Sequence, residues 1–365
     1  MNDSSNATNQ TDRIWESAWP PGLQFAFGVI GNFIALIVLF KSSKRHKWKP
    51  FYRLVGGLAL TDMCGVLFVY PTVMYRYASD FTYNFPKSLC NYSSFIYSYA
   101  ILASALIVCA MSLDRFLAIL FPFYYNSESK IKRVNIMLGG IWIFTLFICT
   151  LHLMGLGDSK LYYPGSWCFL NFVGRTVEDR VNSFIYSILG IIILMVTACL
   201  NISVIITVLI NIRNSRLTKT TKRRGKNNLY IIVFLLMIVA VFTTCFLPLM
   251  INILEHATLR NDENGSTELL VLRFAVTNSI IDPWIYILLR KETLEFIQKV
   301  YNRLREKCGM RVDAEKNVSN GAASSTTDSL RVRKLKSLVN IDMLRRADTS
   351  TTDKSSDMTY SSSYM

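Results

Sequence analysis

The sequence is poor in charge: Asp, Glu, Lys and Arg make up 18% of its 365 residues, where a water-soluble domain carries about a quarter. It is poor in histidine too, with His46, His152 and His256 alone, and no cysteine or carboxylate stands at metal-ligand spacing around them. That pattern gives no footing to a zinc enzyme or a zinc-finger domain. Met1–Gly22 is polar and asparagine-rich and lacks the basic start and apolar centre of a cleaved signal peptide. Short strands of alternating polarity are absent, so a membrane β-barrel is not expected. The two halves do not repeat one another, which argues against a secondary transporter.

What is present is apolar sequence in long runs. The chain is 51% hydrophobic with a mean hydropathy of +0.29. Seven runs reach or approach the roughly 20 residues that a spanning helix needs. They are Leu23–Phe40, Phe51–Tyr75, Leu89–Leu120, Val134–Leu153, Val181–Asn211, Leu229–Leu254 and Leu269–Leu289. The expected fold is an all-α membrane protein, a seven-transmembrane helix bundle. Beyond it, Leu294, Ile297, Val300, Tyr301 and Leu304 recur at helical spacing opposite basic residues. This predicts a short amphipathic eighth helix on the membrane surface over residues 290–308. The Ser/Thr-rich remainder, 309–365, is expected to be a disordered tail with phosphorylation clusters at Ser324–Thr327, Thr349–Thr352 and Ser361–Ser363.

The net charge of +15 would suit nucleic acid, but its distribution argues otherwise. Bases crowd alternate connections: Lys41 to Lys49, Lys130 to Arg133, Arg213 to Lys226, and Arg290 onward. Positive loops remain in the cytoplasm, so the N-terminus is expected outside and the tail inside. Acceptors at Asn2, Asn6 and Asn9, with Asn91 and Asn264, fit glycosylation on that outer side. Of eight cysteines, Cys64, Cys109, Cys149, Cys199 and Cys245 lie in apolar runs. Cys90 and Cys168 are the two expected in the oxidising compartment and are paired as a disulfide. Cys308 follows the amphipathic stretch and suits lipidation.

Polar groups inside apolar runs are costly and point to function. Asn32, Asp62, Ser104, Asn278 and Asp282 would form one cluster if they converge. Two carboxylates in a low dielectric cannot both remain ionised without compensation, so a sodium ion or a shared proton is expected at Asp62/Asp282. The plainer reading is hydrogen-bond glue between helices. Pro248 after Phe246, and Pro283 after Asp282, mark kinks where a helix can hinge, with Tyr286 a turn beyond. Asp114-Arg115-Phe116 ends the third run, and Phe123 after Pro122 offers an apolar knob to a docking partner. Arg273 is a planar cation within the seventh run, suited to bidentate pairing with a carboxylate; a residue snorkelling to headgroups is the plainer alternative.

In order along the chain, Asn32, Leu58-Ala59-Leu60-Thr61-Asp62, Cys90, Asp114-Arg115-Phe116, Trp142, Cys168, Pro248 and Asp282-Pro283-Trp284-Ile285-Tyr286 resemble the rhodopsin-like G-protein-coupled receptors. Tyr163-Pro164-Gly165-Ser166-Trp167-Cys168-Phe169 and the stretch Arg273–Arg290 resemble the prostanoid group. Gly155-Leu156-Gly157 and Ile281–Arg290 are most similar to the prostaglandin E receptors of subtype four, with subtype two and the prostacyclin receptors near them. The resemblance implies a receptor without catalytic activity, a prostanoid agonist, prostaglandin E first, and a heterotrimeric G protein of the stimulatory kind that raises cyclic AMP. Arrestin and a receptor kinase would act at the tail. It assigns the ligand's carboxylate to Arg273 with Tyr77, the lid to Ser166 and Trp167, and a further lining position to Thr72.

There are departures. Phe116 replaces a tyrosine, Phe246 a tryptophan, the fifth run lacks its proline, and Asn228 stands where an acid could lock Arg115. Tyr97 occupies the position of the aspartate of amine receptors and Val276 that of the retinal lysine of opsins, which disfavours both ligand types; a receptor for a different acidic lipid is the alternative within the class. A transporter or intramembrane enzyme built on Asp62 and Asp282 is the reading from another class.

Overall fold

A computed structural model describes residues 17–46, 50–125, 129–217, 222–258 and 264–288. Seven long helices dominate: α1 Trp19–His46, α2 Pro50–Ala78, α3 Lys87–Leu120, α4 Lys130–Thr150, α5 Val177–Leu217, α6 Lys222–Ala257 and α7 Gly265–Leu288. Each holds an apolar stretch long enough to span a bilayer. All seven expected spans are found, and most ends extend further than hydropathy suggests. Helix α1 begins at Trp19 rather than Leu23, inside the segment expected to be an N-terminal tail. Helix α5 runs to Leu217 and α6 starts at Lys222. Lysine and arginine are good helix formers, so helices continue into water where the apolar signal has ended. The surface helix over 290–308, the tail, Asn2, Asn6, Asn9 and Cys308 lie outside the described residues, as does the side chain of Asn228.

Helix α1 packs on both α2 and α7, α6 packs on α5 and α7, and α3 stands against α2, α4 and α5. The most apolar window of α3 is 72% buried and that of α4 only 17%. Helix α4 thus turns Ile136, Ile143 and Phe147 outward, as a lipid-facing helix should. Close approach is built into the sequence at Gly190, where a Cβ would come within 2.1 Å of Met250 Sδ. A side chain at that position would have to displace Met250 of α6.

The connection between α4 and α5 is a hairpin. Strand β1, Ser159–Tyr162, pairs antiparallel with β2, Trp167–Leu170, in the register Tyr162 opposite Trp167. All four residues of β2 are buried, so the alternation that advertises a half-buried strand is missing. Gly165 takes the left-handed φ of 90° that the turn requires.

Candidate functional site

The hairpin roofs a cleft at one end of the bundle. Its position is fixed by the Cys90–Cys168 disulfide to α3, with Cα atoms 5.2 Å apart, as the sequence led us to expect. Arg76 Nε donates to the Gly165 carbonyl at 2.9 Å, joining α2 to the turn. Tyr162 stacks between Trp167 and Phe172, with centroids at 4.6 and 4.8 Å. Its hydroxyl donates to Leu170 O and accepts from Phe172 N. A lid that buries Trp167, Phe169 and Phe172 almost fully is held by apolar area as well as by covalent and polar ties.

Beneath the lid lies a narrow cleft between α2, α3 and α7. Arg273 and Val276 of α7, Tyr77 of α2, Tyr97 of α3, and Ser166 and Trp167 of the lid line it. Four of the five anticipated ligand residues, Arg273, Tyr77, Ser166 and Trp167, are thereby brought together. Ser166 Oγ donates to the Tyr77 hydroxyl at 3.5 Å. The fifth, Thr72, is a correction: it is not among the lining residues, and its hydroxyl turns back to the Val69 carbonyl at 2.7 Å. Val73 of the same helix takes part in the lining instead.

Arg273 lines the cleft, and its charge acts on the hydroxyls of Tyr70 and Tyr97. The alternative of a cation snorkelling to lipid headgroups does not match that placement. The sequence reading missed the frame around it. Gln24 Nε2 donates to Arg273 O at 3.3 Å and to Thr277 Oγ1 at 3.2 Å. The Tyr70 hydroxyl donates to Gln24 Oε1 at 2.9 Å. These bonds tie α1 and α2 to the turn of α7 that carries the cation. An amide within an apolar run was the available signal, the same one that singled out Asn32.

Midway through the bundle, Asp62 and Asp282 are buried, 1% and 9% exposed, and each lies in the other's field. Ser104 Oγ donates to Asp62 at 2.5 Å, and Asn278 Nδ2 to Asp282 at 2.8 Å. Asn32 Nδ2 instead reaches two carbonyls, Gly28 O at 2.9 Å and Ser279 O at 3.0 Å. The five residues therefore share a neighbourhood without forming one bonded network. Ser279, absent from the sequence reading, also approaches Asp62. Asp62 Oδ2 and Asn278 Oδ1 have no hydrogen-bond partner. This leaves acceptors for a cation or a proton, and no group of three or more His, Cys, Asp or Glu is gathered among the described residues. Phe246, one turn outward on α6, is 3% exposed and stacks on Phe242 at 5.2 Å; Pro248 follows inside the same helix. Pro283 interrupts α7, and buried Tyr286 meets the ring of Tyr52 edge-on at 6.4 Å.

At the far end Arg115 Nη2 donates to Asp114 Oδ2 at 2.7 Å. The Tyr125 hydroxyl donates to the other carboxylate oxygen at 3.0 Å. Partial burial first, and the Asp114 charge second, push that hydroxyl up to about 12, so it remains a donor. The guanidinium carbon of Arg115 lies 4.0 Å from the centroid of Phe51, a cation–π contact not foreseen from sequence. Phe123 is 98% exposed in the one-turn helix Pro122–Tyr125. The acceptor motif at Asn91 falls inside α3 and is half-buried, whereas Asn264 is exposed.

A seven-helix bundle with a lidded cleft at one end, buried carboxylates midway and an Asp–Arg pair at the opposite end is the architecture of a seven-transmembrane receptor. The family described as "7 transmembrane receptor (rhodopsin family)" matches residues 31–286, and the chain belongs to it. Squid rhodopsin shares the fold, with a TM-score of 0.68 at 18% identity over 87% of this chain and 93% of that one. Within the family the chain is a prostanoid receptor. It is 28% identical to the Homo sapiens prostaglandin E2 receptor EP4 subtype over 96% of this chain and 82% of that one. It is 32% identical to the Homo sapiens prostacyclin receptor over 75% of this chain and 72% of the relative. These are receptors and not enzymes, and the protein is a multi-pass plasma-membrane G-protein-coupled receptor.

Proposed function

We propose that the protein is a receptor for prostaglandin E that acts through the stimulatory G protein to raise cyclic AMP. The observation that carries this reading is the placement of Arg273 in a lidded, largely apolar cleft beside Tyr77, Ser166 and Trp167. A prostanoid is a monoacid with two hydrocarbon chains. Its carboxylate takes the guanidinium fork, and its chains take the surface of Val73, Val276 and Trp167. Agonist shifts the bundle only by binding its active arrangement more tightly. The inner half of α6 then swings about Pro248, Arg115 leaves Asp114, and exposed Phe123 enters the G protein. Arrestin and a receptor kinase act later at the phosphorylated tail. The N-terminus lies outside and the basic connections inside.

A sodium ion or a shared proton at Asp62/Asp282 stabilises the resting state. Agonist affinity that is indifferent to sodium, and equally indifferent in Asp62→Asn, would remove this part of the scheme.

The comparable similarity to the prostacyclin receptor supports a second reading, in which prostacyclin is the agonist. A panel of prostanoids on wild type and Arg273→Ala, reading cyclic AMP and calcium, separates the two. The most potent prostanoid identifies the ligand, and a potency order untouched by the substitution would overturn the carboxylate anchor itself.

A further inference from the structure

A second cavity lies at the end of the bundle opposite the lid, between α3, the one-turn helix Pro122–Tyr125 and the start of α4. Its floor is apolar, from Leu113, Leu117, Val134 and Met137, and its rim carries Lys130 and Arg133. Arg133 stands 4.7 Å over the Tyr124 ring and donates to the Tyr124 carbonyl at 3.4 Å. The inner wall is Asp114, whose carboxylate is already met by Arg115 and Tyr125.

The charge of the rim is unusual for its position. The first turn of α4 holds no acidic residue and includes Lys130, Lys132 and Arg133. A helix N-terminus is itself positive, so bases there oppose the dipole, and an anion relieves both. An apolar floor beneath a cationic rim at membrane level matches an anionic head attached to a hydrocarbon chain.

We propose that this cavity binds an anionic glycerophospholipid, phosphate on Lys130 and Arg133 and the start of one chain over Leu117 and Met137. With the orientation given above, the lipid comes from the inner leaflet, the leaflet rich in anionic lipids. Occupancy packs the one-turn helix whose Tyr125 holds Asp114, and so favours the resting Asp114–Arg115 pair.

The test is native mass spectrometry of the full-length receptor with phosphatidylserine, using phosphatidylcholine and inorganic phosphate as separate probes. Phosphatidylserine adducts should survive where phosphatidylcholine is lost, and fall about tenfold in Lys130→Gln/Arg133→Gln. Lys132→Gln, which alters the same surface charge outside the cavity, should retain them. Met137→Trp fills the floor and leaves the charges, so it should also remove the adducts if the charge variant does not fold. Equal loss in Lys132→Gln would make the effect diffuse surface charge. Competition by inorganic phosphate at equal concentration would make the site one for free anions. Retention in both cavity variants would likewise overturn the proposal. Prostanoid binding measured alongside reports separately on the outer cleft.

Discussion

At the outer end of the bundle, the lid is joined to α3 by Cys90–Cys168, to α2 by Arg76, and to itself by a stack of aromatic rings. At the opposite end, Arg115 is held by Asp114, its neighbour in sequence, and by the ring of Phe51. The first set of ties links segments far apart in the chain and fixes the cleft in advance. Among the described residues, the second consists of a bond within one helix and one contact to α2. A receptor needs this asymmetry. Preorganisation at the ligand end lowers the ordering cost of binding, while a weakly held arginine at the other end can be released by a modest difference in agonist affinity between states.

The comparison can be broken most strongly at Arg273. Arg273→Ala should cost about 2–5 kcal/mol of affinity for an acidic agonist, a rise in Kd of roughly 30-fold to several thousandfold. The methyl ester of the same agonist should lose far less. Equal losses for acid and ester would detach the cation from ligand recognition. Next comes the lid: Cys168→Ser should remove about 2–4 kcal/mol of stability and lower both thermal stability and agonist binding. Agonist affinity unchanged at full surface expression would show the lid to be held by its aromatic stack alone.

At the weakly tied end, Phe51→Ala should remove about 1–2 kcal/mol of cation–π attraction and raise ligand-free cyclic AMP while leaving agonist affinity intact. A wild-type receptor no brighter than mock-transfected cells, unchanged by Phe51→Ala, would contradict the idea of a loosely held arginine. The smallest effect belongs to Asp158. Partial burial raises its pKa, but the Lys87 ammonium and the Ser159 N–H outweigh it and hold the carboxyl below its ordinary value. The Lys87–Asp158 ion pair therefore supports the hairpin at neutral pH and weakens as pH falls through that lowered pKa. Both side chains are more than half exposed, so Asp158→Asn should change thermal stability by less than about 0.5 kcal/mol. A larger change would make the lid's rim a principal tie.

Much of the transducing machinery was legible in the sequence because lipid penalises polar groups. Asp62, Asp282, Asn278, Asp114 and Arg273 stand out against apolar neighbours, and each was singled out before its position in space was known. Resemblance then added Tyr77, Ser166 and Trp167, which gather in the cleft. Thr72 failed because a threonine in a helix can satisfy its hydroxyl on its own backbone, and no spacing rule reveals that choice. Gln24 and Tyr70 were overlooked because their roles lie in interhelical bonds, Tyr70 to Gln24 and Gln24 to α7 some 250 residues along the chain.

The sequence by itself determined the seven spans, the extra polar groups within them and the pairing of Cys90 with Cys168, since hydropathy, helix length and redox compartment act locally or through simple counting. The tertiary structure alone decided which polar groups meet. It placed Gln24 and Tyr70 behind Arg273, Phe51 against Arg115, and Asn32 on backbone carbonyls rather than on a carboxylate. The reason is geometric: rotation and tilt of a helix are set by packing against its neighbours, and a single chain read in order carries no measure of either.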